Sequence, residues 1–170
     1  MKILTILVGT LVLNLFDASN CRVNETATEA MLRGEGLGGL HLDLAEKTVL
    51  KLLGPPAKRG AVVFQEADGN YVQDWHYPDK GIDLSMSAGE KKSGKKTIAN
   101  ISASAPCTFA TKKGIKIGDA ESAARKAYAE HIDRETSDSN TLVVGSIYGG
   151  IIFNFTKGKV SRIFFGAAAE

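Results

Sequence analysis

The chain has 170 residues, of which 44% are hydrophobic and 24% are charged, and its formal net charge is +2. This near balance disfavours nucleic acid as a partner, because proteins that bind it carry a marked basic excess. The length suits one domain with a substantial core, or two small halves that share one.

Residues 1–20 have the layout of a secretory signal peptide. Lys2 precedes fourteen mostly apolar residues, Ile3 to Phe16, and the polar or small residues Asp17, Ala18 and Ser19 follow. As a helix this apolar stretch spans about 21 Å, too short for a bilayer core of about 30 Å. We therefore expect an extracytoplasmic protein that is periplasmic, anchored by lipid to the outer membrane, or secreted.

The two cysteines, Cys21 and Cys107, admit three interpretations. Cys21 follows Ala18-Ser19-Asn20, which resembles a lipobox except at Asn20, so lipidation of Cys21 is the first interpretation. A disulfide between Cys21 and Cys107 is the second, and two separate thiols are the third. Membrane contact is expected only through such a lipid anchor, and residues 21–35 are predicted to be an N-terminal linker.

The segment 36–106 is predicted to form a short helix followed by an antiparallel meander. Asp43 and Glu46 have the spacing of a helix cap, and Gly54 with Pro55-Pro56 predicts the helix end. Period-two alternation then predicts strands. These are Ala61 to Glu66, Tyr71 to Tyr77, Ile82 to Ser87 and Thr97 to Ala103, with a turn at Ala67-Asp68-Gly69-Asn70 and a lysine-rich tip at Glu90 to Lys96.

The segment 110–167 repeats this order. Gly114, Ile115 and Glu121 match Gly39, Leu40 and Glu46 at an offset of 75. Asp119 is the predicted cap of a helix rich in alanine. Three strands are predicted after it, over Thr141 to Tyr148, Ile151 to Phe155 and Lys159 to Phe165. The fold class expected is α+β, with two tandem repeats of a short helix and a three- or four-stranded antiparallel meander that share one core.

Two stretches carry a resemblance to known families: Leu40-His41-Leu42-Asp43 with Leu52-Leu53-Gly54-Pro55, and Ile115-Lys116-Ile117-Gly118-Asp119 with Ala127-Tyr128-Ala129. This pattern resembles the β-lactamase inhibitor proteins and the small outer-membrane assembly lipoproteins. Ala129 departs from the glycine expected at that helix end. The resemblance implies the fold and an envelope address, and it carries no catalytic residues.

Trp75 and Tyr77 share one face of a predicted strand. They are candidate partner contacts, with burial in the core as the alternative. Asp74 and His76 share the other face, but no close-spaced His, Cys, Asp and Glu set predicts a metal site, and no motif predicts a cofactor or a catalytic residue.

We therefore expect a non-enzymatic binding or envelope-assembly module that recognises an extracytoplasmic protein. The alternative, suggested by the resemblance, is an inhibitor of a secreted hydrolase that uses the loop Ala67 to Asn70 or Ile132 to Asn140.

Overall fold

The computed structural model describes residues 27–67 and 69–168. In this part of the chain, three helices and nine strands form an α+β fold. The helices are α1 (27–34), α2 (Glu46–Leu53) and α3 (Glu121–Ala127). The strands are β1 (Lys58–Arg59), β2 (Val63–Gln65), β3 (Asn70–Tyr77), β4 (Ile82–Ser87), β5 (Thr97–Ser104), β6 (Ile132–Asp133), β7 (Thr141–Val144), β8 (Gly150–Thr156) and β9 (Lys159–Gly166).

All strands belong to one antiparallel sheet in the order β1-β3-β4-β5-β9-β8-β7-β6, and β2 pairs with β3 beside β1. Strands β3 to β5 form one run of neighbours, and β9 to β6 form the other. The two runs meet where β5 pairs with β9. The α+β class and the antiparallel sheet predicted from the alternation are therefore confirmed.

Both predicted helix caps are wrong. The residues before α2 and α3 are Ala45 and Ala120, and neither helix start has a side-chain cap. Asp43 instead adopts a positive φ of 63°, and its N–H donates to the carbonyl of Ile98 at 2.8 Å. The Asp119 carboxylate accepts the N–H of Lys116 at 2.9 Å. Attachment of each helix start to a strand takes precedence over the local cap.

The two helices are attached to the sheet by corresponding backbone hydrogen bonds. On each side, a residue before the helix donates to a strand residue, and that strand residue donates back to the next residue of the segment. The bonds are Asp43 N–H to Ile98 O, Ile98 N–H to Leu44 O, Gly118 N–H to Val160 O and Val160 N–H to Asp119 O.

The end of α2 and two hairpin turns lie where the sequence predicts them. α2 ends at Leu53, and Gly54 has a φ of 77°. The tight turn between β8 and β9 falls at Lys157 and Gly158, both with positive φ, as hairpin turns of this kind require. β2 and β3 flank the predicted turn 67–70, in which Asp68 lies outside the described residues.

Four elements differ from the prediction. Residues 27–34, placed in the linker 21–35, form α1, and the two-residue strands β1 and β6 were not predicted. The predicted strand Thr141 to Tyr148 ends at Val144, because Gly145 turns the chain with a φ of 87°.

One hydrophobic core fills the space between the sheet and the helices. Val49 of α2 and Ala124 of α3 are fully buried in it, and both halves of the sheet contribute alternate residues. The two halves therefore share a single interior. Its largest fully buried side chains include Trp75, Tyr128, Phe153, Leu37, Leu40, Ile82, Leu84, Met86, Ile98, Ile101, Leu142 and Ile151.

Candidate functional site

The sheet face opposite the core, which we call the open face, is the broadest candidate site. Along β4, Ile82, Leu84 and Met86 are buried, whereas Asp83 and the serines that alternate with them are exposed or half-buried. Successive side chains of a strand point to opposite faces, so these polar residues lie on the side away from the core. The neighbouring strands place Asp74, His76, Asn100, Ser102, Arg162 and Phe164 on the same face.

Polar side chains of β3 and β4 pair with each other on the open face. His76 Nδ1 lies 2.7 Å from Asp83 Oδ1, and Ser85 Oγ donates to Asp74 Oδ1 at 3.2 Å.

Arg162 extends this cluster to β9. Its Nε donates to Ser102 Oγ at 2.9 Å, and its guanidinium lies 5.2 Å from the centre of the Phe164 ring. The ring and the guanidinium together offer a partner both apolar area and positive charge.

Two hollows open on this face, and Ser85 and Asn100 line both. The smaller has a volume of about 180 Å³ and is also lined by Asp74, His76 and Phe164. The larger has a volume of about 410 Å³ and reaches Leu42 and Tyr148. Tyr148 is 71% exposed. An aromatic side chain so exposed at the edge of a hollow is typical of a contact surface.

Trp75 and Tyr77, the predicted partner contacts, point to the core face and are buried. Trp75 Nε1 donates to Gln73 Oε1 at 3.1 Å, and Tyr77 donates to the Gly54 carbonyl at 3.1 Å. Burial also raises the pKa of Tyr77. The alternative interpretation of both residues, packing in the core, is the one the structure shows.

Cys107 is buried after β5 and forms no disulfide within the described residues. Burial raises the pKa of its thiol, which disfavours the reactive thiolate. Cys21 and the predicted signal peptide lie outside the described residues. Lipidation of Cys21 and the bridge from Cys21 to Cys107 therefore stay predictions.

The three histidines are dispersed. His76 lies on the open face, His41 Nδ1 lies 2.7 Å from the Leu42 carbonyl, and His131 Nδ1 lies 3.2 Å from Thr28 Oγ1. His131 lines a broad cavity of about 770 Å³ between α1 and the second half of the chain. Residues 27–67 and 69–168 contain no group of His, Cys, Asp and Glu arranged to hold a metal ion.

Glu35 forms a buried polar contact that sequence reasoning missed. It is 5% exposed, and its carboxylate accepts the Tyr128 hydroxyl at 3.2 Å and the Lys112 N–H at 3.1 Å. Burial, with the nearby Glu35 charge, raises the pKa of Tyr128, although a hydrogen bond with Thr111 opposes the shift. Glu35 thus ties the end of α1 to the second half of the chain.

The exposed loop 134–140 is held by hydrogen bonds to the side chains of Asp133, at the end of β6, and Asp138, within the loop. Asp133 accepts the Thr136 hydroxyl at 2.7 Å and the Glu135 N–H at 3.0 Å. Asp138 Oδ1 accepts the N–H groups of Asn140 and Thr141, both at 2.7 Å. The loop therefore has a defined shape although it is solvent-exposed.

In the described part of the chain, every helix is too short or too polar to cross a membrane. Comparisons with protein-family models, curated proteins and solved structures find no significant match.

Proposed function

We propose that the chain consists of two tandem copies of one unit, a helix followed by a meander. The corresponding bonds that attach α2 and α3 to the sheet support this proposal. Gly39 and Gly114, matched in sequence, have φ values of 90° and 85°. The bulge in β5 falls at Ala99 and that in β9 at Ser161, the same place relative to the bonded residues Ile98 and Val160.

The pairing of β5 with β9 also supports duplication. When Ile98 is matched to Val160, Ile101 matches Ile163 and Ala103 matches Phe165. Ile101 pairs with Phe165 and Ala103 pairs with Ile163. Ile101 thus pairs with the counterpart of Ala103, and Ala103 pairs with the counterpart of Ile101, as two copies related by a local two-fold axis require.

The function that we infer is that of an exported, non-enzymatic module which recognises an extracytoplasmic protein through the open face. The observation that carries this inference is a polar sheet face with two hollows, an arginine–phenylalanine pair and an exposed tyrosine. The five long strands β3, β4, β5, β9 and β8 have six to eight residues each. Spaced about 4.8 Å apart, they give this face an area of roughly 500 Å², which suits a small, transient interface.

Affinity capture from envelope extracts with three forms of the protein tests this function. Arg162→Glu reverses a charge on the open face, and Lys47→Glu makes the same reversal on the exposed side of α2. We expect a protein that the unmodified chain and Lys47→Glu retain and Arg162→Glu loses. A captured protein that all three forms retain equally would place recognition elsewhere, and capture of no specific protein would contradict the proposed function.

Export and the fate of Cys21 are part of this proposal. The predicted leader and the position of Cys21 after it support a cell-envelope address. The intact mass of the mature protein separates the three fates of Cys21, since diacylglyceryl addition, loss of two hydrogens and an unchanged mass are distinct. A mature chain that retains residues 1–20 would contradict export by cleavage.

The second candidate function is inhibition of a secreted hydrolase, favoured by the defined shape of the loop 134–140. A pre-ordered exposed loop enters a cleft with less entropic cost than a flexible one. Assays against lysozymes, proteases and β-lactamases test this candidate. Inhibition that is lost when residues 134–137 are replaced by glycine and serine would support it, and absence of inhibition across the panel would remove it.

A further inference from the structure

Strand β2 lies at an edge of the sheet and has hydrogen-bonding groups directed away from it. The Tyr71 N–H donates to Gly89 O and the Ala88 N–H donates to Tyr71 O, so the backbone groups of Tyr71 face β4. Groups alternate in direction along an antiparallel strand. The backbone N–H and carbonyl of Val72 therefore face β2, where they hydrogen-bond with the backbone of Val63, its register partner. The N–H and carbonyl of Phe64 consequently point outward.

The side chains of this edge are apolar on both faces. Val63 is 58% exposed and Phe64 is 46% exposed. Phe64 packs on Tyr71 with ring centroids 5.0 Å apart, whereas Val63 lies on the opposite face. The segment 61–65 has no charge and no proline, so no residue within it opposes pairing with another strand.

The charges that flank this segment favour a particular orientation of an added strand. Lys58 and Arg59 precede it, and Glu66 follows it. A second copy paired antiparallel brings the acidic end of one strand beside the basic end of the other, whereas parallel pairing brings like charges together. The edge is therefore complementary to itself in the antiparallel orientation alone.

We propose that β2 pairs antiparallel with β2 of a second copy of this chain, and that the sheet continues across the dimer. The contact is isologous, so it closes at two copies. It satisfies the outward groups of Phe64 and covers Val63 and Phe64. A strand this short buries less than the roughly 800 Å² per partner of stable complexes, so the dimer is weak and depends on concentration.

Sedimentation velocity of the purified protein over a concentration series tests this dimer. Val63→Lys places a charge in the pairing edge, and we expect it to weaken dimerisation by at least about tenfold. Leu52→Lys is the matched control, because Leu52 is 49% exposed on α2, away from the edge. A chain that is monomeric at every soluble concentration, or a dimer that both variants weaken equally, would overturn the proposal.

Amide hydrogen exchange locates the contact without a substitution. The Phe64 amide points into solvent in one copy and donates to the partner strand in the dimer. We therefore expect its exchange to slow as protein concentration rises, while exchange of the Tyr71 amide, bonded within the sheet, stays constant. A dimer in which exchange of the Phe64 amide is independent of concentration would exclude β2 as the interface.

Discussion

Gly81 is the residue at which a single methyl group is expected to be most harmful. Its φ is 61°, and an added Cβ would lie 2.2 Å from the Ser104 carbonyl oxygen and 2.6 Å from the Cys107 nitrogen. These are backbone atoms at the end of β5 and in the connection that follows it, and they have little freedom to move. We expect Gly81→Ala to lower the free energy of unfolding by about 3 kcal/mol or more.

Gly158→Ala is the control for this prediction. Gly158 has a φ of 71° and no atom within 4 Å of the added Cβ, so the substitution introduces backbone strain but no steric clash. We expect a loss of about 1 kcal/mol there. Denaturant unfolding of both variants measures the difference, and equal losses would show that the crowding at Gly81 relaxes.

The hydrogen bond between Glu35 and Tyr128 is expected to couple the two residues energetically. Tyr128 is fully buried, so Glu35→Ala leaves its hydroxyl without this acceptor. We expect Glu35→Ala to cost about 2 kcal/mol in the unmodified protein and distinctly less in the Tyr128→Phe background. Denaturant unfolding of the unmodified protein, the two single variants and the double variant gives the coupling free energy between the two residues. A coupling free energy of zero would contradict the contact.

Asp43 illustrates what local sequence does not determine at this scale. Its spacing to Glu46 is that of a helix cap, and nothing nearby in the chain indicates that Ile98 will accept its N–H. The same holds for Glu35, whose partners Lys112 and Tyr128 lie in the other half. Contacts between residues far apart in the chain override local propensity in both cases.

At the scale of elements, the loop 134–140 is expected to lose its order in acid. The hydrogen bond from Thr136, reinforced by the backbone N–H groups of Glu135 and Thr136, holds the pKa of Asp133 below its usual value. A carboxyl whose pKa is lowered by folding stabilises the fold above its unfolded pKa of about 3.9. That stabilisation is lost as the pH falls through the folded pKa.

Amide exchange of Glu135 and Thr136 against pH measures this effect. We expect exchange of these two amides, relative to that of an unstructured peptide, to become faster below about pH 4. Asp133→Asn has no titrating carboxyl, so this relative exchange is expected to be independent of pH in that range. Protection that persists unchanged to lower pH in the unmodified chain would contradict the role of Asp133.

Strands with strong alternation were predictable, whereas the open-face cluster was predictable only in part. Period-two spacing places Asp74 and His76 on one face from the sequence alone. Asn100 joins them through the pairing of β4 with β5, whereas Arg162 joins them only because β5 pairs with β9, and no local pattern specifies which strands meet at the centre of a sheet. The strands β1 and β6 are too short to produce a periodic signal.

At the scale of the whole molecule, the shared core makes the two halves depend on each other. Val49 of α2 and Ala124 of α3 pack in one interior with residues of both halves of the sheet. A three- or four-stranded meander with one short helix has a small interior and is at best marginally stable alone. The shared core therefore requires that both halves unfold together.

Two-probe unfolding of the unmodified chain and of Ile151→Val tests this requirement most directly. Trp75, the only tryptophan, reports on the first half through its fluorescence, and amide exchange of β8 reports on the second. Ile151 lies in β8, fully buried, and its loss of a methyl group costs about 1 kcal/mol. We predict that Ile151→Val lowers the free energy of unfolding measured by Trp75 fluorescence by the same amount as that measured by amide exchange of β8. A Trp75 transition that Ile151→Val leaves unchanged would contradict the shared core.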